Sequence, residues 1–250
     1  MFKPLINLLC ALIPNRALRH RVRMRLTFNI KPYINFAKSD ANIPNAHVDI
    51  YQGHGGMKKV IIVLNKTIAY KFPLVPARYD SPKTEKMFTD AFHKISPIRL
   101  PKMDVIPMHI NGKTIDVLKY EFIGGTPVGK LPADLLQKHA QKIATQLGKF
   151  LFAIGQSDPR EIAHLKPSKT TKPKFMYGWT HNDIGGNFLV DERTGNITAI
   201  IDWESAKFCD LSGDIMASHK FLSKCGGGNI IVLAVIEYAK LYDKKYKKSR

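Results

Sequence analysis

The chain has 250 residues, 44% of them apolar and 24% charged, which is enough to bury a sizeable core and too ordinary for a disordered body. Its three cysteines, Cys10, Cys209 and Cys225, are too few and too scattered for a disulfide framework or a zinc site, which fits a reducing compartment. Lys and Arg number 39 against 20 acids, a net charge of +19 that calls for an anionic partner.

Residues 1–26 carry Lys3, Arg16, Arg19, Arg21, Arg23 and Arg25 and no acid, and residues 240–250 carry six basic residues against Asp243 alone. The body between them is only mildly basic. The apolar run from Pro4 to Ile13 is about half the length of a membrane-spanning helix. Its charge follows the run instead of preceding it, which argues against a secretory signal. Two readings stand for this segment: an in-plane membrane-surface element, or a helix docked on the protein's own body. From Ala46 to Leu74 the text reads as a meander of about three strands, with Gly53-His-Gly-Gly56 as a turn. A helix follows, opened by Asp80 or Ser81 with Pro82 in its first turn and carrying Phe88, Ala91, Phe92 and Ile95 at helical spacing. Met103–Met108 and Thr114–Ile123 then form a hairpin across Asn111-Gly112.

After Gly124-Gly125 the period changes. Leu136, Ala140, Ile143, Leu147, Leu151 and Ile154 mark one long amphipathic helix from Pro132 to Gly155. Residues 158–175 read as a loop, Phe188–Asp191 and Ile197–Asp202 as a second hairpin, and Ile230–Tyr242 as a last helix.

The most informative text is Trp179-Thr-His-Asn-Asp-Ile-Gly-Gly-Asn-Phe-Leu-Val-Asp191, followed by Thr198-Ala-Ile-Ile-Asp-Trp-Glu-Ser-Ala206 and Asp210-Leu-Ser-Gly-Asp214. Phosphoryl transfer needs a carboxylate to orient and accept the proton of an attacking hydroxyl, and oxygen ligands for Mg²⁺. Asp183, Asn187 and Asp202 supply such groups. Together these stretches resemble the aminoglycoside phosphotransferase and choline kinase superfamily, a branch of the protein-kinase-like fold. The resemblance is strong over residues 177–215, weaker over 50–155 and absent from 1–44. It implies that Asp183 is the catalytic base, that Asn187 and Asp202 bind the metal, and that His181 supports the loop. One departure stands out: three residues separate Asp183 from Asn187, where the family usually places four. Gly185-Gly186 can adopt the positive φ that a tightened loop needs, which keeps the site viable; an inactive kinase-like protein is the alternative.

In the first half, the resemblance makes Lys71, at the end of a strand, the lysine that holds phosphates, with Glu85 as its partner. Gly53 and Gly55 fall where a phosphate-covering loop belongs, and backbone groups from Tyr120 to Phe122 where adenine is read. Gly124-Gly-Thr-Pro-Val-Gly129-Lys130 imitates a Walker P-loop, but Leu131 stands where Ser or Thr would ligate Mg²⁺ and Pro127 removes an N–H from the cradle. Asp210 and Asp214 read as structural ties between loops. Serine-elbow, zinc-helix and C-x-x-C motifs are absent from the sequence.

The expectation is therefore an α+β, bilobal protein-kinase-like fold. A basic arm spans 1–44, a β-rich nucleotide lobe with one helix 45–123, and a mainly helical lobe 124–250 that holds the catalytic loop, the metal site and the acceptor site. The implied activity is ATP- and Mg²⁺-dependent transfer to an alcohol group. A basic body suits an anionic glycolipid or its sugar precursor, such as a lipopolysaccharide core sugar, better than a polycationic aminoglycoside. Choline or ethanolamine against Trp203, Tyr177 or Trp179 is a lesser option, and a catalytically dead binding module the alternative from another class. No specific nucleic-acid partner is expected. The expected location is cytoplasmic, with peripheral attachment to the inner membrane face where the arm meets lipid.

Overall fold

The computed structural model describes residues 11, 12, 14, 28–52, 58–75, 81–110, 112–168 and 170–246. Most of the expected arm over 1–26, the turn glycines Gly53 and Gly55, and residues 247–250 lie outside the described residues. The chain divides into two units, one made of residues 1–83 and 104–122, the other of residues 84–103 and 123–250. Among the described residues no helix is long and apolar enough to cross a membrane.

The first unit is built from runs whose apolar residues alternate. Strands β1 (Val48–Gln52), β2 (Lys59–Leu64), β3 (Ile68–Pro73), β4 (Met103–Ile110) and β5 (Lys113–Glu121) form one sheet in the order β1-β2-β3-β5-β4. The β2–β3 turn places Asn65 and Lys66 at φ 51 and 54°, the left-handed pair that matches strand twist in a tight hairpin. Val60, Ile62 and Leu64 alternate onto the same core as Tyr70, Phe72 and Val117. Helix α1 (Lys31–Asp40) covers that core, burying Ala37 fully and setting Tyr33 and Phe36 edge-on against Phe72 at 5.3 and 6.1 Å. At its end, Asp40 Oδ2 accepts hydrogen bonds from the Tyr70 hydroxyl at 2.8 Å and the Lys119 ammonium at 2.7 Å. Burial and this carboxylate push the Tyr70 hydroxyl's pKa well above its usual value. Residues 31–40 are thus a docked helix and not part of a basic arm; Pro32 and the mixed polarity of the segment hid its apolar face.

Helix α2 (Ser81–Phe92) was expected to accompany the sheet, but from Thr84 onward it belongs to the second unit. Phe88 and Phe92 decide this, because their rings lie 5.9 and 6.0 Å from Trp179, and Phe92 also stacks on Trp203 at 5.6 Å. The second unit's other elements are β6 (Thr126–Pro127), α3 (Ala133–Lys138), α4 (Ala140–Gly155), β7 (Tyr177–Thr180), β8 (Phe188–Val190), β9 (Ile197–Ile200), β10 (Lys207–Asp210), α5 (Ser212–Lys224) and α6 (Gly228–Tyr246). The single helix expected over Pro132–Gly155 is two, broken where His139 leaves helical geometry at φ −98° and ψ 2°. β6, β8 and β9 pair in that order, and β10 pairs antiparallel with β7. The P-loop mimic is accordingly a short strand: Thr126 pairs with Val190 and Pro127 with Leu189.

Helix α4 packs against α6, and its last residue, Gly155, meets β7 at Gly178. A Cβ at Gly178 would lie 1.9 Å from the Gly155 carbonyl oxygen, so only glycine lets the strand leading to the Asp183 loop reach the helix. Gly178→Ala is therefore expected to lower stability by about 2–3 kcal/mol or more, the scale of overpacking against rigid backbone. Urea unfolding checks this, and an unchanged midpoint would show that the contact yields.

Candidate active site

The site begins with the way β7 ends. Beyond Thr180 the chain turns through Asn182, held at φ 61°, then Asp183 and a short 3-10 turn over Ile184–Gly186 before β8. Asp214, buried in the first turn of α5, secures this path: Oδ2 accepts from the Thr180 hydroxyl at 2.7 Å and the Asn182 N–H at 2.6 Å, and Oδ1 from the Ile184 N–H at 3.0 Å. A carboxylate taking two backbone N–H groups on either side of Asp183 makes charge-assisted bonds, each worth about 1.5–3 kcal/mol. Asp183 is left exposed between them.

The same helix explains the two glycines. Along α5, Asp214, Ser218 and Phe221 follow one another at helical spacing and track the turn. A Cβ at Gly185 would sit 2.7 Å from Ser218 Cα, and one at Gly186 3.3 Å from the Phe221 ring. Neither glycine has a positive φ. The expected conformational reason for Gly185-Gly186 is thus replaced by a steric one: the glycines let α5 lie against the shortened loop.

Asn187 turns back toward Asp183, its Nδ2 donating to the Asp183 carbonyl at 2.7 Å and to Oδ2 at 3.0 Å. Its own carbonyl accepts from the Ile201 N–H at 2.9 Å. The Ile201 carbonyl in turn faces His181 Nε2 at 2.9 Å. Ile201 is therefore clasped from both sides by the Asp183 loop, which sets the next residue, Asp202, beside it. Asp202 occupies the left-handed region at φ 69°, a strained conformation that an aspartate tolerates and that marks functional sites. His181 is fully buried edge-on to Trp203 at 4.9 Å, and burial holds its pKa below the usual value. Its Nδ1 finds no hydrogen-bond partner among the described residues. A neutral imidazole donating through Nε2 fits these surroundings, and it braces the loop.

Partial desolvation raises the Asp183 pKa, the Asn187 hydrogen bond pulls it back, and the charges of Asp202 and Asp214 add to the rise. The net direction is upward, toward a proton acceptor closer to neutrality.

Glu85, Asp202 and Glu204 bring one carboxylate oxygen each to within 4.8 Å of one another. Glu85 shares a face of α2 with Phe88 and Phe92, and those rings seat that face against Trp203. Three carboxylates, one of them buried, are the donor set of a hard divalent cation. Of the two residues that the resemblance makes metal ligands, Asp202 lies in this cluster, and Asn187 gives its Nδ2 to Asp183. Glu85, which the resemblance makes the partner of Lys71, brings a carboxylate oxygen into the cluster, and Glu204 is an addition to the expected ligands. The signal for Glu204 was present: in Asp202-Trp-Glu204 the buried Trp203 pins the turn between two acids. Ser218 and Phe221 were also missed, because their element was not predicted.

The remaining candidates lie in the first unit. Lys71 is buried on β3 opposite Leu118, on the sheet face away from α1. Tyr120 pairs with Ala69, and the Phe122 N–H donates to the Thr67 carbonyl at 2.7 Å, so that amide is used within the unit. Asp210 Oδ1 accepts from the Ser212 N–H at 2.7 Å at the entrance to α5, a structural tie like that of Asp214.

Residues 125–224 match the sequence pattern of the phosphotransferase enzyme family. No curated protein matches the chain. Among solved structures, the GDP and kanamycin complex of APH(2″)-IIIa superposes with a TM-score of 0.59 at 13% identity, over 84% of this chain and 83% of that one. ADP-bound aminoglycoside phosphotransferase APH(2″)-Ib gives 0.56 at 12% identity, over 87% and 86%. Macrolide 2′-phosphotransferase MphH from Brachybacterium faecium gives 0.53 at 13%, over 82% of each chain. The loop that presents Asp183 thus lies inside residues 125–224, which match the phosphotransferase enzyme family's pattern, in a chain whose bilobal, kinase-like fold is similar to that of aminoglycoside and macrolide phosphotransferases.

Proposed function

We propose that the protein transfers the terminal phosphoryl group of a nucleoside triphosphate to an alcohol hydroxyl of a small molecule or glycolipid sugar. The observation that carries this is the exposed Asp183 carboxylate, held between two N–H groups that Asp214 fixes and next to the clasped Asp202. The acceptor oxygen forms a bond to the terminal phosphorus, the bond to the bridging oxygen breaks, and the nucleoside diphosphate leaves. The proton of the hydroxyl passes to Asp183. Asp202, Glu204 and Glu85 offer the oxygen ligands for Mg²⁺, which when bound neutralises charge on the triphosphate. Asn187 orients Asp183 through its amide.

For the acceptor, the mildly basic body favours an anionic partner such as a phosphorylated or acidic glycolipid sugar over a polycation. An aminoglycoside or macrolide is the second reading, supported by structural neighbours whose complexes contain kanamycin or gentamicin. A labelled-ATP transfer assay against acidic sugars, glycolipids, choline, kanamycin and a macrolide separates them. Transfer to the acidic sugars or glycolipids is the expected result, and transfer confined to the antibiotics would overturn it.

Asp183→Asn keeps the shape and removes the proton acceptor, so kcat is expected to fall about 10²–10⁴-fold with nucleotide affinity retained. Kinetics with calorimetry check both. The raised pKa sets two pH dependences. The base must be unprotonated, so wild-type kcat falls toward acid with a midpoint above the ordinary aspartate value of about 3.9. A group whose pKa is raised by folding contributes stability below its unfolded pKa and loses that contribution as pH rises through the folded one. At neutral pH the Asp183→Asn variant is therefore expected to melt no lower than wild type, with any advantage vanishing in acid; a lower Tm at pH 7 would contradict this.

Asp202→Asn and Glu204→Gln should each weaken Mg²⁺-dependent nucleotide binding, Asp202→Asn the more. Equal nucleotide affinity with and without Mg²⁺ in the wild type would remove the metal role of this cluster.

A further inference from the structure

Helix α6 carries a surface that phosphoryl transfer does not use. Val232, Ile236, Lys240 and Lys244 recur every four residues and so line one outer stripe. Val232 and Ile236 are 51% and 46% exposed, unusual for aliphatic side chains on a packed helix, and both lysines are exposed. On the other flank of α6, Phe175, itself 48% exposed, meets Tyr242 at 5.1 Å, and Tyr242 meets Tyr246 at 4.5 Å. Gln156 joins this aromatic group to a basic loop, donating to the Lys174 carbonyl and accepting from the Tyr246 hydroxyl. Lys172 and Lys174 of that loop and Lys240, Lys244 and Lys245 of α6 are exposed. None of these five lysines forms an ion pair among the described residues. The sequence continues with Lys247, Lys248 and Arg250.

We propose that the outer stripe of α6, from Val232 to Lys244, docks on an anionic lipid bilayer. Charge complementarity selects an anionic partner, and the composition selects a bilayer. Val232 and Ile236 reach the acyl boundary, and the lysines of the same stripe extend to the phosphates. A single-stranded nucleic acid needs open ring faces for its bases. Here Tyr242 packs between Phe175 and Tyr246, and the Lys245 ammonium lies over the rings of Tyr246 and Phe152 at 5.1 and 5.7 Å. The proposal does not rest on the phosphotransferase reading, and its test involves no turnover.

The test is flotation of the full chain with vesicles of phosphatidylcholine alone or mixed with phosphatidylglycerol. Binding is expected only where phosphatidylglycerol is present, and weaker as salt rises. Lys240→Gln with Lys244→Gln should weaken it about thirty-fold, from the contribution of each lysine near an anionic surface. Val232→Ser with Ile236→Ser should weaken it as well and steepen its salt dependence. All four side chains are exposed, so circular dichroism and thermal melting should match wild type. The proposal is overturned if the wild type ignores phosphatidylglycerol vesicles, or if both variants bind them as tightly as wild type. It is overturned too if single-stranded RNA, and not the vesicles, is the ligand that the lysine variant loses.

Discussion

The candidate site depends on one buried carboxylate. Asp214 is inside the fold only because it has partners, since a buried acid without them would not stay charged. The partners are the N–H groups of Asn182 and Ile184 and the hydroxyl of Thr180. That bonding holds Asp183 at the surface although the N–H groups on both sides of it turn inward to Asp214. From there order passes outward: Asn187 grips Ile201, His181 grips it from the other side, and Asp202 takes its left-handed conformation where the clasp ends. Trp203, fully buried, then anchors the turn against Phe92 and Phe150.

Aromatic packing does for the acid cluster what Asp214 does for the loop. Phe88 and Phe92 seat α2 on the two tryptophans, and Glu85 is carried in on the same helical face. A glutamate buried in a mainly apolar neighbourhood is thereby placed against Asp202 and Glu204. A divalent cation held there would relieve the repulsion among the three carboxylates.

Much of this was legible in the sequence because it rests on local spacing. The Asp183, Asn187 and Asp202 pattern, the β2–β3 hairpin around Asn65, and the false P-loop betrayed by Pro127 and Leu131 could all be read from residues close together in the chain. What escaped depends on partners far apart in sequence. Helix α1 looked like part of a charged arm because its apolar face shows only against Phe72. Helix α2 was assigned to the sheet it follows, whereas Phe88 and Phe92 answer to Trp179 and Trp203, about a hundred residues on. Helix α5 has Ser212, Gly213, Ser218 and His219 where a periodic apolar run would have announced it, because its inner face meets a polar loop and not an oily core. The reason for Gly185-Gly186 was misread on the same account, since the steric pressure comes from a helix that was not foreseen.

The close fit between that helix and the glycine pair has an evolutionary corollary. The two glycines and the seat of α5 form a set whose members are conditional on one another. A side chain at position 185 strikes the backbone of Ser218. A sequence with a larger residue at 185 can reach this arrangement only if glycine arrives first or the helix moves. The order of substitution is thus constrained by geometry, and the same change that is neutral in one background is excluded in the other.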